Sequence, residues 1–176
     1  MLYRFSALSE NCDGEYNMII SASRRTDIPC WYTDWFFNRL RAGYVVARNP
    51  MNHAQIKNIP LTRDAVDCIV FWTKDAKSII PRLSELDDMG IKYYFQFTLT
   101  PYDNIIEKNL RDKRDIENTF IELSRQIGKE NIFWRYDPII LNSFIDMDYH
   151  KFHFLRLCHK LCGYTDSVTI SFVDMY

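Results

Sequence analysis

Six short runs of branched and aromatic residues, separated by stretches with a helical rhythm, constrain this chain most. The runs are Met18–Ser23, Tyr44–Ala47, Asp67–Thr73, Lys92–Leu99, Ile132–Tyr136 and Ser167–Val173. Rich in Ile, Val, Phe and Tyr, they read as buried strands. Residues 31–42 place Trp35, Phe36, Arg39 and Leu40 at helical spacing and stop at Gly43, with Asp27 as a cap and Pro29 in an early turn. Residues 78–89 gather Ile79, Ile80, Leu83 and Leu86 on one face, and Pro81 suits a first turn. Residues 113–127 repeat Ile116, Phe120, Leu123 and Ile127 and end at Gly128. Residues 147–162 put Phe154, Leu155, Cys158, Leu161 and Cys162 on one stripe, between a cap at Asp146 and a stop at Gly163. Strands alternating with helices imply βαβ units and a mainly parallel sheet.

Two sheets of that kind compete: a doubly wound open sheet and a (β/α) barrel. A complete eight-stranded barrel takes about 250 residues, whereas five main β/α passages use up these 176 residues. The last strand is followed by no helix to cover it. The expected fold is therefore α/β, an incomplete (β/α) barrel of TIM type over residues 18–176, cut short at its C-terminus. Residues 1–17 are polar and unpatterned and are expected to form a disordered extension, unless Met18 is the true start. The stretches Asn49–Asp64 and Thr100–Asp112 read as long loops, which in compact domains are often functional.

A net charge of −1 gives no ground for expecting nucleic acid or an acidic membrane surface as partner. No apolar run approaches the roughly 20 residues of a membrane helix, and the N-terminus lacks the apolar core of a secretory signal. Five scattered cysteines, an odd number, argue against a disulfide framework and for a reducing, cytoplasmic setting.

In both sheet types ligands sit beyond the carboxyl ends of the strands. Those ends read Ser21-Ala-Ser-Arg-Arg-Thr-Asp27, Phe71-Trp-Thr-Lys74, Phe95-Gln-Phe-Thr98, Trp134-Arg-Tyr-Asp137 and Ser171-Phe-Val-Asp174. Every one carries polar groups. Arg24, Arg25, Lys74 and Arg135 supply positive charge, and an arginine fork can hold a carboxylate or phosphate through two hydrogen bonds. Ser23, Gln96 and Thr98 add neutral partners, with Thr73 beside them. Asp27, Asp137 and Asp174 can orient the cations or hold hydroxyls and amines. A small anionic ligand fits this set. Each piece also has a plainer reading: a solvated turn for Ser23–Asp27, helix-start charges for Lys74-Asp75, and a turn initiator for Tyr136-Asp137-Pro138. No catalytic role falls to any one residue.

Other chemistries are weaker. Cys158 and Cys162 form a CxxxC pair, but on an apolar helix face they read as small core residues rather than metal ligands. His150, His153 and His159 lack an HExxH pattern. No phosphate loop, GxGxxG or GxSxG is present. No metal site is expected within the chain.

SASRRTDIP, ARNP (47–50), DCIVFWTK (67–74), YYFQFTLTPY (93–102), WRYDPIIL (134–141) and ISFVDMY (170–176) together resemble the family termed domain of unknown function 1848. The resemblance runs from Met18 to Tyr176. It implies the N-terminal part of a longer bacterial or archaeal protein, distantly similar to radical S-adenosylmethionine enzymes and built on a partial barrel. It further implies a C-terminal cysteine cluster for a [4Fe–4S] centre, to which Cys158 and Cys162 do not correspond. On that resemblance the strand-end residues would grip and shield S-adenosylmethionine, Arg24, Arg25 and Arg135 holding carboxylates and Asp137 or Asp174 holding ribose hydroxyls. Two alternatives stand beside it. One is a cluster-independent barrel enzyme acting on a phosphorylated or carboxylated small molecule; the other is a truncated, non-enzymatic remnant.

Overall fold

The computed structural model describes residues 18–22, 26–49, 51–52 and 54–173. Expectations that fall on Ser23, Arg24, Arg25 and Asp174, or on residues 1–17, lie outside the described residues.

Five strands form one parallel sheet: β1 (Met18–Ala22), β4 (Val66–Thr73), β5 (Lys92–Thr98), β6 (Ile132–Ile139) and β7 (Val168–Phe172). Their spatial order is β1-β4-β5-β6-β7, which is also their chain order. Each crossover thus steps the same way across the sheet. Right-handed crossovers that never reverse direction put every helix on one face.

The packing follows that rule. From α2 (Thr33–Ala42), Phe36 meets Phe71 of β4 edge-on at 5.4 Å. From α4 (Lys113–Ile127), Phe120 meets Phe97 of β5 at 5.0 Å. From α5 (Met147–Leu161), Phe154 stacks on Trp134 of β6 at 5.3 Å. The short α3 (Leu83–Asp88) adds Leu83 and Leu86 to the same core. Phe71, Phe95, Phe97 and Phe120 are fully buried there, each contributing about 2–3 kcal/mol by removal of its ring from water.

The sequence expected a partial barrel. The parallel strands stand in the order a barrel uses, without the reversal of a doubly wound sheet, but no closed sheet forms among the described residues. The edges of the open sheet are β1 and β7. No described helix covers β7, whose Val168, Ile170 and Phe172 are 40%, 55% and 55% exposed.

Local chemistry sets the element ends. Asp27 caps α1 (Ile28–Trp31) by accepting from the Cys30 amide, with Pro29 in the first turn. The helix expected over 31–42 breaks at Tyr32, whose backbone leaves helical geometry between α1 and α2. Gly43 ends α2 at φ +76°, a left-handed position that glycine takes without strain. Pro81 lies in a 3-10 turn over Ile80–Arg82 ahead of α3. Asp112 and Asp146 cap α4 and α5.

Three expectations need correction. Asn49–Asp64 is not all loop: β3 (Ile56–Pro60) pairs antiparallel with β2 (Tyr44–Arg48) as a separate hairpin. β6 runs three residues past Tyr136, through the cis Asp137–Pro138 bond, to Ile139. The buried stripe of α5 is His150, Leu157 and Leu161, with Phe154 packed against the core, while Leu155 and Cys162 are exposed.

Candidate functional site

A strand's side chains alternate between faces. Since Phe71, Phe97, Trp134 and Tyr136 point at the helices, Trp72, Gln96, Thr98, Arg135 and Asp137 stand on the opposite face. No described helix covers that face. Its half toward the strands' amino ends is largely apolar, with Tyr94 and Phe133 edge-on at 5.4 Å. Its other half is polar, and this is the candidate site.

Arg135 is the centre. Its Nε donates to Asp137 Oδ1 at 3.1 Å and its Nη2 to Asp137 Oδ2 at 2.5 Å. Its Nη1 reaches Gln96 Oε1 at 3.4 Å. The guanidinium also lies 4.9 Å from the centre of the Trp72 ring, a cation–π contact that helps fix its plane. Trp72 donates in turn from Nε1 to Ser21 Oγ at 3.0 Å, and Ser171 Oγ lies 3.5 Å from Asp137 Oδ2. One row of contacts thus crosses the sheet from β1 to β7. The Arg135 and Asp137 side chains retain 20% and 15% of their accessible surface, so the pair is shielded yet reachable from solvent. Guanidinium has five N–H donors. Asp137 accepts two and Gln96 a third, which leaves two without a partner among the described residues.

Two other predicted residues belong to a different network. Asp27 accepts from Thr73 Oγ1 at 2.7 Å and from the Lys74 amide at 2.6 Å, besides capping α1. Burial pushes its carboxyl up, against the pull of those three donors. Lys74 turns its ammonium to Glu107, which also takes Lys113 and, at 3.2 Å, the Thr100 hydroxyl. Burial acts to raise the Glu107 carboxyl, but the two ammonium partners outweigh it and hold it low. Beside it, Arg111 grips Asp75 through Nε at 2.6 Å and Nη2 at 2.8 Å. This network ties the loop over 100–112 to the start of α1 and the end of β4, and its charges are consumed internally.

Of the predicted residues, the structure therefore brings together Gln96, Arg135 and Asp137. Thr98 stands beside Arg135 in the β5–β6 register, its side chain without a hydrogen bond among the described residues. Asp27 and Lys74 lie in the separate loop network. Sequence reasoning missed Ser21, Trp72 and Ser171 as members of the row. The signal was present as two-residue spacing, Trp72 before Lys74 and Arg135 before Asp137, but selection by charge passed over it. Glu107 carried no such signal, since a lone acid in a loop reads as solvated.

The described cysteines do not make a cluster site. Burial pushes the Cys30 thiol up to about 12, with Asp27 adding to the effect, and it raises Cys68 and Cys158 as well. Such thiols are poor nucleophiles and poor ligands at neutral pH. Among the described residues no three His, Cys, Asp or Glu side chains group as metal ligands. These residues do not fit a [4Fe–4S] centre. His150 is structural: its two ring nitrogens bond Tyr136 Oη at 2.9 Å and the Ile140 carbonyl at 3.0 Å. No helix of the described residues is long and apolar enough to cross a membrane.

No curated protein and no solved structure matches the chain. The family model described as Domain of unknown function (DUF1848) matches residues 19–176, which span all of the sheet but Met18 and include the Arg135 row, and the chain belongs to that family.

Proposed function

We propose that the protein binds a small carboxylated or phosphorylated molecule on the open face of its sheet, with Arg135 as the anion-holding group. The observation that carries this reading is the guanidinium held in one plane by Asp137, Gln96 and Trp72 while two N–H groups have no partner among the described residues. A fork oriented before the ligand arrives loses little freedom on binding. Sequential strand order and one-sided helices support a (β/α) barrel-like architecture, whose ligand sites lie at this end of the strands.

S-adenosylmethionine, which the family resemblance implies, bears an α-carboxylate of the class that this fork takes. The radical S-adenosylmethionine-like reading is retained at the level of that contact alone. The described cysteines do not fit the iron–sulfur centre of such enzymes, and no step is routed through one. A second reading, a cluster-independent enzyme acting on an anionic small molecule, uses the same fork.

Calorimetric titration of the full chain with S-adenosylmethionine, inorganic phosphate and citrate tests the proposal. At least one is expected to bind with a Kd below about 1 mM, and Arg135→Gln to weaken it about tenfold or more, as for a charge-assisted pair. Binding by none of the three, or binding that survives Arg135→Gln, overturns it. Tight binding of phosphate without S-adenosylmethionine selects the second reading.

A further inference from the structure

An apolar cavity meets the β1 end of the Arg135 row at Ser21 and extends away from it. It has a volume of about 480 Å³ and sits between β1, α2 and the β2–β3 hairpin, within the range of pockets that hold small molecules. Its floor is apolar and packed: Phe36, Ile59 and Leu61 are 3%, 4% and 2% exposed. Its lining also includes two aromatic rings that remain open to solvent, Tyr32 at 49% and Trp35 at 46%. Two cations, Arg39 and Arg48, line it as well. Neither forms an ion pair with a described carboxylate, in contrast to Arg82, Arg111, Arg135 and Arg156. Arg39 lies over the Tyr44 ring, 5.9 Å from its centre. Among the described residues no acidic side chain lines the cavity.

We propose that this cavity is a binding site for a small molecule with a flat apolar body and a carboxylate at one end. The apolar floor and the two rings take the body, since burial of apolar surface is the larger favourable contribution. Arg39 and Arg48 take the carboxylate, and beside low-dielectric walls that attraction is stronger than in water. The chemistry differs from that of the Arg135 row, where the surroundings are polar and the cation is already paired with Asp137. The two sites therefore stand or fall separately.

The probe is 2-naphthoate, compared with uncharged 2-naphthalenemethanol, titrated into the full chain by calorimetry with saturation-transfer NMR of the ring protons. Naphthoate is expected to bind once per chain with a Kd below about 1 mM, and the alcohol about tenfold more weakly. Arg48 is exposed and Arg39 half-buried; Arg39→Gln and Arg48→Gln are expected to keep the cooperative thermal transition while each lowers naphthoate affinity severalfold. Arg135→Gln should leave naphthoate binding unchanged. Equal binding of acid and alcohol, absence of binding, or a loss confined to Arg135→Gln overturns the proposal.

Discussion

Asp27 was legible twice in the sequence, as a helix cap and as a polar group beyond a strand. The cap is there, yet the carboxylate does more. It accepts from the Cys30 amide, the Thr73 hydroxyl and the Lys74 amide, and so staples the start of α1 to the end of β4. Nothing in SASRRTDIP shows donors 46 and 47 residues away. Removing the acceptor strands these donors in a part-buried place. A lost cap costs about 0.5–2 kcal/mol, and each buried donor left unmade costs about 1–3 kcal/mol. With partial relaxation, Asp27→Ala is expected to destabilise the fold by about 2–4 kcal/mol, and Asp27→Asn by less because one acceptor oxygen remains. Urea denaturation at neutral pH measures both. A cost for the alanine variant below about 0.5 kcal/mol would mean that water replaces the carboxylate.

At the scale of elements, periodicity served α4 better than α5. Ile116, Phe120 and Leu123 of α4 are buried as their spacing required. In α5 the buried face is rotated by about one residue from the expected stripe. The reason is polar: His150 must reach Tyr136, and Arg156 and Lys160, four residues apart, must both reach Glu117. Hydrophobic counting cannot see a face chosen by a buried carboxylate on another helix. The β3 strand escaped for a related reason: Ile-Lys-Asn-Ile-Pro is mostly exposed and gains its pairing only from β2. Glu117 is the hinge of the α4–α5 contact, its side chain 2% exposed between cations that are 41% and 32% exposed. Breaking a fully buried pair costs about 3–5 kcal/mol, but these cations can turn to water, so the lower figure is discounted. Glu117→Ala should cost about 1–3 kcal/mol and Lys160→Ala clearly less, since Arg156 keeps its grip. Equal costs in thermal denaturation would show that Glu117 is held by Lys160 alone.

Over the whole molecule, the candidate site emerges only when five strands lie in register, which is why its charged members were legible one strand at a time and its aromatic plate was not. The same assembly sets the response to acid. Burial acts to raise Glu107 and Glu117, but their ammonium and guanidinium partners win and hold both below the ordinary value of 4.5. A carboxyl depressed by folding stabilises fully above its unfolded value, and that contribution disappears as pH falls through its folded value. His153 is also depressed, chiefly by burial and then by Arg156, from an ordinary 6.5, and its Nδ1 is buried without a partner among the described residues. The sign is the same: the neutral ring favours the fold, and stability declines as pH drops below that value. Asp27, raised by burial, has the opposite sign and offsets part of the loss in the carboxylate range. Stability should therefore be level from about pH 7 to pH 8, decline gently below about pH 6.5, and fall more steeply below about pH 4.5. His153→Gln should flatten the upper limb alone, and Glu107→Gln with Glu117→Gln the lower limb alone. Urea midpoints measured from pH 8 to pH 3 separate the two. An unchanged lower limb in the double variant would place the acid sensitivity in groups other than these buried carboxylates.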